Sequence, residues 1–136
     1  MDFSELVDNF SFLDGWEDRY AYLIELGKAL PAMDDADKTP ENKVDGCMSQ
    51  VWLTMRRDGD RLFFRGESDA FIVRGLIAVL QIILSGKTFD EIAAEDVEAD
   101  FNRLGLDAHL SPTRRNGFFS MVARVKAEAS RLRETL

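Results

Sequence analysis

Residues Phe71 to Leu84 read FIVRGLIAVLQIIL, an apolar run interrupted only by Arg74, Gly75 and Gln81. A helix that is apolar on nearly every side has no face to give to water, so the remaining segments must wrap around it. The run is too short to span a bilayer, which takes about 20 residues, and it carries a charge. A central buried helix is therefore expected over Ala70 to Leu84, with Ser68 or Asp69 as its cap and Gly86 as its stop. Gly75 inside it costs roughly 1 kcal/mol relative to alanine. Close approach of a second backbone is the expected compensation.

The flanking segments supply the wrapping. Residues 3–9 suggest a short helix. Asp14 is placed to cap a second helix from about Trp16 to Leu30, whose apolar positions Trp16, Tyr20, Leu23, Leu26, Gly27 and Leu30 recur at three and four residues. Pro31 ends it, and residues 32–43 form a polar connection with at most one helical turn. The period then changes to two: Val51, Leu53 and Met55 alternate with Trp52, Thr54 and Arg56. Asp58-Gly59 before the second run, Arg61 to Gly66, is a hairpin signal, because glycine takes positive φ without steric cost. The Val44 to Cys47 segment is the candidate third strand. After the apolar helix, Thr88 caps a short helix (Phe89 to Ala93) and a second spans Asp96 to Leu104. Ser111-Pro112 reads as N-cap and first helical residue of a last helix running to about Arg133, with Phe118, Met121, Val122 and Val125 inward. The expected fold is α+β: a small antiparallel sheet of about three strands packed against several helices, the C-terminal one long.

At 136 residues the chain is expected to form a single domain, 1–136, large enough to fold without disulfides or metal. With one cysteine, no internal disulfide can form. The start, Met1 to Glu5, is acidic where a signal or transit peptide is basic, so a cytoplasmic protein is expected, without membrane association. The net charge of −8 is uneven. The first 45 residues hold twelve Asp and Glu against four Lys and Arg, and the rest of the chain holds thirteen of each. An acidic third repels phosphate backbones, which argues against nucleic acid and for a solvated face or a basic protein partner.

Few residues can carry chemistry. One Cys and one His cannot build a structural zinc or iron–sulfur site in a single chain, so no metal is expected, and no Gly-rich phosphate loop or dinucleotide fingerprint implies a cofactor. Cys47 lies in Lys43-Val44-Asp45-Gly46-Cys47-Met48-Ser49-Gln50-Val51-Trp52, where a polar turn gives way to a strand. A thiol is the one nucleophile here that can act at neutral pH without a full triad, although a free cysteine is equally at home as a small buried hydrophobe. His109 could serve as its base in a Cys–His hydrolase, if it comes within hydrogen-bond reach. Arg114 and Arg115 sit in the first turn of the last helix, where positive charge opposes the helix dipole. They are either solvated or set against a carboxylate, a thiolate or an acidic partner.

Taken together, four blocks resemble the SufE family: the cysteine run Asn42 to Trp52, the helix Ser68 to Leu80, the segment His109-Leu110-Ser111-Pro112-Thr113-Arg114-Arg115-Asn116-Gly117, and Tyr22 to Gly27 with Leu30-Pro31. They stand in order over almost the whole chain. Phe118-Phe119 is bulkier than the family pattern. The resemblance implies a SufE/NifU-like fold and a sulfur acceptor of iron–sulfur cluster assembly. Cys47 would then take persulfide sulfur from a pyridoxal-phosphate-dependent cysteine desulfurase (SufS- or CsdA-like), stimulate that enzyme, and pass the sulfur to a SufBCD-like cluster scaffold. Asp69 and Arg114 would be partner-facing or loop-supporting, with Gly46, Ser49 and Gln50 forming the cysteine loop. On this reading the protein is a carrier and activator rather than an enzyme. A tucked resting loop that extends on the partner is expected, with Gly46 supplying backbone freedom. Two other readings stay open: a Cys47–His109 thiol enzyme, hydrolytic or peroxidatic, and an adaptor with an inert cysteine.

Overall fold

The computed structural model describes residues 1–47 and 49–135. Its helices are α1 (Phe3–Ser11), α2 (Trp16–Lys28), α3 (Phe71–Leu84), α4 (Phe89–Ala94), α5 (Val97–Arg103) and α6 (Pro112–Arg133). The strands β1 (Val51–Asp58), β2 (Arg61–Ser68) and β3 (Lys87–Thr88) form one antiparallel sheet in the order β1-β2-β3. The fold is α+β with a long C-terminal helix. Asp58 pairs with Arg61 across the hairpin, and Gly59 has φ +62°.

The apolar helix α3 is the centre. Nine of its residues are buried, among them Leu76, Ile77, Val79 and Leu80. Burying each such aliphatic side chain contributes roughly 1.5–3 kcal/mol. The sheet, α2 and α6 all pack on it. Gly75 meets α2 backbone to backbone: a Cβ there would lie 2.2 Å from the Leu23 carbonyl oxygen. Gly27 is its counterpart, its missing Cβ 2.6 Å from Gly75 N. Arg74, the charge inside the apolar run, turns toward the same crossing. Its Nε donates to the Gly27 carbonyl at 3.1 Å and its Nη2 to the Leu30 carbonyl at 3.2 Å, tying the end of α2 to α3. Its Nη1 pairs with the buried Glu67 carboxylate of β2. Burial pushes that carboxyl up, but the Ser68 N–H, the Arg74 guanidinium and the Met33 backbone outweigh it and hold Glu67 below its ordinary range.

Several sequence expectations change in detail. Asp14 does not cap α2; the N-cap is Gly15, whose φ of +86° turns the chain into the helix with no side-chain cap. The helix stops at Lys28: the Leu30 N–H closes a tightened turn on the Gly27 carbonyl at 3.2 Å, and Pro31 has no N–H to carry the ladder on. The polar connection holds a single 3-10 turn, Asp35–Asp37. The third strand is not the Val44 to Cys47 segment. Lys43 makes one bridge with Trp52, then Gly46 (φ +88°) carries the chain off the sheet toward α6. Lys87–Thr88 is the third strand instead, because Gly86 (φ +84°) folds the chain back onto the start of β2. Neither Ser68 nor Asp69 caps α3. Its N-cap is Ala70, while Ser68 Oγ accepts from the Ala70 N–H and Asp69 accepts from the Gln50 N–H. Thr88 and Ser111 cap α4 and α6 as expected, Thr88 in a reciprocal box with Glu91.

Charge also braces the helical layer around Glu95. Lys87 Nζ lies 2.9 Å from the Glu95 carboxylate, and Lys126 Nζ donates to the Glu95 carbonyl at 2.6 Å. Asp100 of α5 is buried beside them, its Oδ2 without a partner among the described residues. Burial, then the hydrogen bond and charge of Glu95, push the Asp100 carboxyl up to about 6, while the bond to Asp100 and the Lys87 ammonium hold Glu95 below its ordinary range. A carboxyl whose folded pKa exceeds its unfolded one stabilises the fold below the unfolded pKa, and that stabilisation is lost as pH rises through about 6. Asp100→Asn removes the loss. In urea unfolding its stability relative to the parent should rise by about 1–2 kcal/mol between pH 4 and pH 7.5, the opposite shift of Glu95 offsetting the remainder. A difference that stays flat across that range would refute this account.

Candidate functional site

Cys47 sits on the loop between the Lys43–Trp52 bridge and β1, tucked against α6. The loop is fastened on both sides. Upstream, Arg124 of α6 donates to the Lys43 carbonyl at 3.0 Å and also to the Glu41 carbonyl. The Val44 N–H reaches the Val51 carbonyl at 2.8 Å, closing the loop base. Downstream, the Asp69 carboxylate accepts from the Gln50 N–H at 3.0 Å, tying the loop to the start of α3. Met48 of the cysteine motif lies outside the described residues.

The contact surface on α6 is one stripe. Thr113, Gly117, Ser120, Met121 and Arg124 recur at three and four residues, so they share a face. Small residues on that stripe let the loop come close. A Cβ on Gly46 would lie 2.6 Å from Ser120 Oγ, and a Cβ on Gly117 would lie 3.5 Å from the Cys47 sulfur. The thiol donates weakly to the Gly117 carbonyl at 3.5 Å.

Beside the sulfur is a cavity of about 30 Å³. Its inner wall is Leu76, Phe118 and Met121, all buried, with half-buried Val73 and the backbone of Gly117. Thr113 and Arg114, both exposed, stand on the solvent side with Ser49. Phe118 is held in place by Phe101, its ring stacked at 4.8 Å, and by Phe119, edge-on at 5.3 Å. Phe118 is therefore the back of the pocket, with Phe119 packed against it. Burial, and then the nearby Asp45 carboxylate, push the Cys47 thiol up, so in this conformation the sulfur is protonated at neutral pH.

The candidate residues divide. Gly46, Cys47, Ser49, Gln50, Asp69 and Arg114 come together around the loop and its pocket. His109 does not line it; the ring is exposed and stacked on Trp16 at 4.7 Å. Arg114 lies over the Tyr20 ring at 5.8 Å, whereas Arg115 turns away to Glu98 at 3.2 Å and to the Phe119 ring. Sequence reasoning missed Arg124, Ser120 and the sulfur-facing role of Gly117. The signal was the helical spacing of those positions with Thr113, visible only once the face opposite Cys47 is known. Among the described residues no cluster of three or more metal-ligating side chains is present, and no helix is long and apolar enough to cross a membrane.

The SufE profile, an Fe-S metabolism associated domain, matches residues 4–129. An uncharacterized SufE-like protein of Rhizobium meliloti (strain 1021) is 53% identical over 129 residues, covering 92% of each chain. Another from Rhizobium etli is 52% identical over 129 residues, covering 92% of this chain and 87% of the relative. The fold matches the solution structure of a hypothetical protein from Thermus thermophilus with a TM-score of 0.76 at 17% identity, over 95% of this chain and 93% of that one. Matched over residues 4–129 by the family profile and 53% identical to a SufE-like relative over 92% of each chain, the chain belongs to the SufE family.

Proposed function

We propose that this protein, acting as one domain, is a sulfur acceptor that takes persulfide sulfur from a pyridoxal-phosphate-dependent cysteine desulfurase onto Cys47, stimulates that enzyme, and hands the sulfur to an iron–sulfur cluster scaffold. The observation that carries this reading is the apolar cavity beside a half-buried thiol on a loop. In the transfer step the Cys47 thiolate attacks the terminal sulfur of the donor persulfide. A new S–S bond forms, the old one breaks, and its electron pair leaves on the desulfurase cysteine, which takes up the proton that Cys47 gave up. The tucked thiol is kept protonated and is a poor nucleophile, so reaction needs the loop to leave the pocket for a more polar site. The left-handed Gly46 and the few bonds at Gln50 and Lys43 are the natural hinge points. Returned to the pocket, the persulfide is shielded from oxidants and stray thiols.

The competing thiol-enzyme reading needs His109 as base, and His109 is stacked on Trp16 instead. Mass spectrometry after incubation with a cysteine desulfurase, cysteine and pyridoxal phosphate tests the proposal. One added sulfur mapping to Cys47 is the expected result; an unmodified chain beside an active desulfurase would overturn it.

A further inference from the structure

The links that fasten the cysteine loop are unequal. Residues 41–43 are laid on the sheet by two neutral bonds, the Leu53 N–H to the Asn42 carbonyl and the Val44 N–H to the Val51 carbonyl, both at 2.8 Å. The downstream tie, from the Gln50 N–H to Asp69, leads to the start of α3. Neither holds the loop to α6. The tip touches that helix lightly: Gly46 packs on Ser120, and the Cys47 thiol meets the Gly117 carbonyl at 3.5 Å. One turn further along the same stripe stands Arg124. Its guanidinium donates to the Lys43 carbonyl at 3.0 Å and to the Glu41 carbonyl. A charged donor makes a hydrogen bond roughly twice as strong as a neutral one. Among the described residues, these two bonds are therefore the strongest link between the loop and α6, and they end three residues before the left-handed Gly46.

We propose that Arg124 is a positioning residue for the sulfur-accepting thiol: by pinning residues 41–43 to α6 it seats Cys47 against Gly117 and holds the thiol's reactivity down until the loop is released. The inference rests on the sulfur-acceptor reading for its use and adds the residue that sets the resting state. Removing Arg124 has two effects of opposite sign. Loss of a positive charge near a thiol disfavours the thiolate and slows its reactions. Release of the loop carries the sulfur toward water, where burial no longer holds the proton on it, and speeds them. A faster thiol after loss of the guanidinium is thus the mark of release and not of changed charge.

Iodoacetamide, small and uncharged, is the probe. Cys47 is the single thiol of the chain, so each labelled molecule reports on it. The thiolate displaces iodide, an S–C bond forms as the C–I bond breaks, and the thiol proton passes to the buffer. Labelling of the folded protein is timed by intact-mass spectrometry with no partner present. Arg124→Ala should label about tenfold faster than the parent, the scale of one charge-assisted hydrogen bond. Arg124→Lys keeps an ammonium donor for the carbonyls and should stay within about threefold of the parent. Arg115→Ala removes the same charge from the same helix, but from a pair with Glu98, and should leave the rate unchanged. Amide hydrogen exchange in Arg124→Ala should rise over residues 44–47 and not in α3. If Arg124→Ala fails to fold, Arg124→Met keeps the apolar stem, removes the donors and carries the same expectation. An unchanged or slower rate in the folded Ala or Met variant would overturn the proposal. So would a Lys variant as fast as the Ala one, an equal rise for Arg115→Ala, or faster exchange across α3 as well as the loop. No sulfur transfer enters these rates, so their failure removes the role of Arg124 and leaves the acceptor reading to its own mass-spectrometric test.

Discussion

Under the proposed function, Cys47→Ser should abolish sulfur acceptance and desulfurase stimulation while leaving stability within about 1 kcal/mol of the parent. A hydroxyl is un-ionised at neutral pH and does not hold a sulfane sulfur, so no part of the transfer chemistry survives the exchange. The fold has little invested in this side chain. The thiol is half-buried, its hydrogen bond to Gly117 is weak at 3.5 Å, and the loop is held by Arg124 and Asp69 on either side. Labelled-sulfur transfer and urea unfolding on one preparation check both halves. A folded Ser variant that still carried sulfur would remove Cys47 from the mechanism; a variant that unfolded would give the cysteine a structural role instead.

The largest stability effect is expected at a residue far from chemistry. Gly75→Ala should lose at least about 3 kcal/mol, although alanine is the better helix former by roughly 1 kcal/mol. Propensity loses because the new Cβ would lie 2.2 Å from the Leu23 carbonyl oxygen and 2.7 Å from its carbon. Backbone cannot rotate aside as a side chain can, so α2 and α3 must separate along their whole contact. That separation also lengthens the Arg74 bonds to Gly27 and Leu30, which are 3.1 and 3.2 Å in the native crossing. Against a total stability of about 5–15 kcal/mol typical of such domains, the loss is large enough to read directly from the urea midpoint. An unchanged or raised midpoint would show that the two helices do not meet as closely as described.

Gly75 also shows how much could be read from the chain. A glycine inside an all-apolar helix announces a close crossing, and the crossing is there, but its partner Gly27 gave no comparable signal because it lay within an amphipathic pattern that needed no explanation. Caps reached through a few bonds were legible where the local chemistry acts alone, as at Thr88 and Ser111. They failed at Asp14, Ser68 and Asp69, where a positive-φ glycine or a tertiary partner took over the role. The third strand was misplaced for the same reason: two residues pair or do not pair according to where Gly46 and Gly86 turn the chain.

Period and composition by themselves settled the order of the helices and the β1–β2 hairpin, the burial of the apolar helix, and the presence of a single thiol. These depend on neighbours within a few residues, where side-chain spacing and backbone sterics dominate. Which groups surround that thiol was decided only by tertiary packing. Gly117, Ser120 and Arg124 lie 70 or more residues from the loop they hold, and Phe118 shapes the pocket through rings on two other positions. No local pattern encodes such distances, because the contacts exist only once α6 has been laid against α3 and the chain entropy of bringing them together has been overcome.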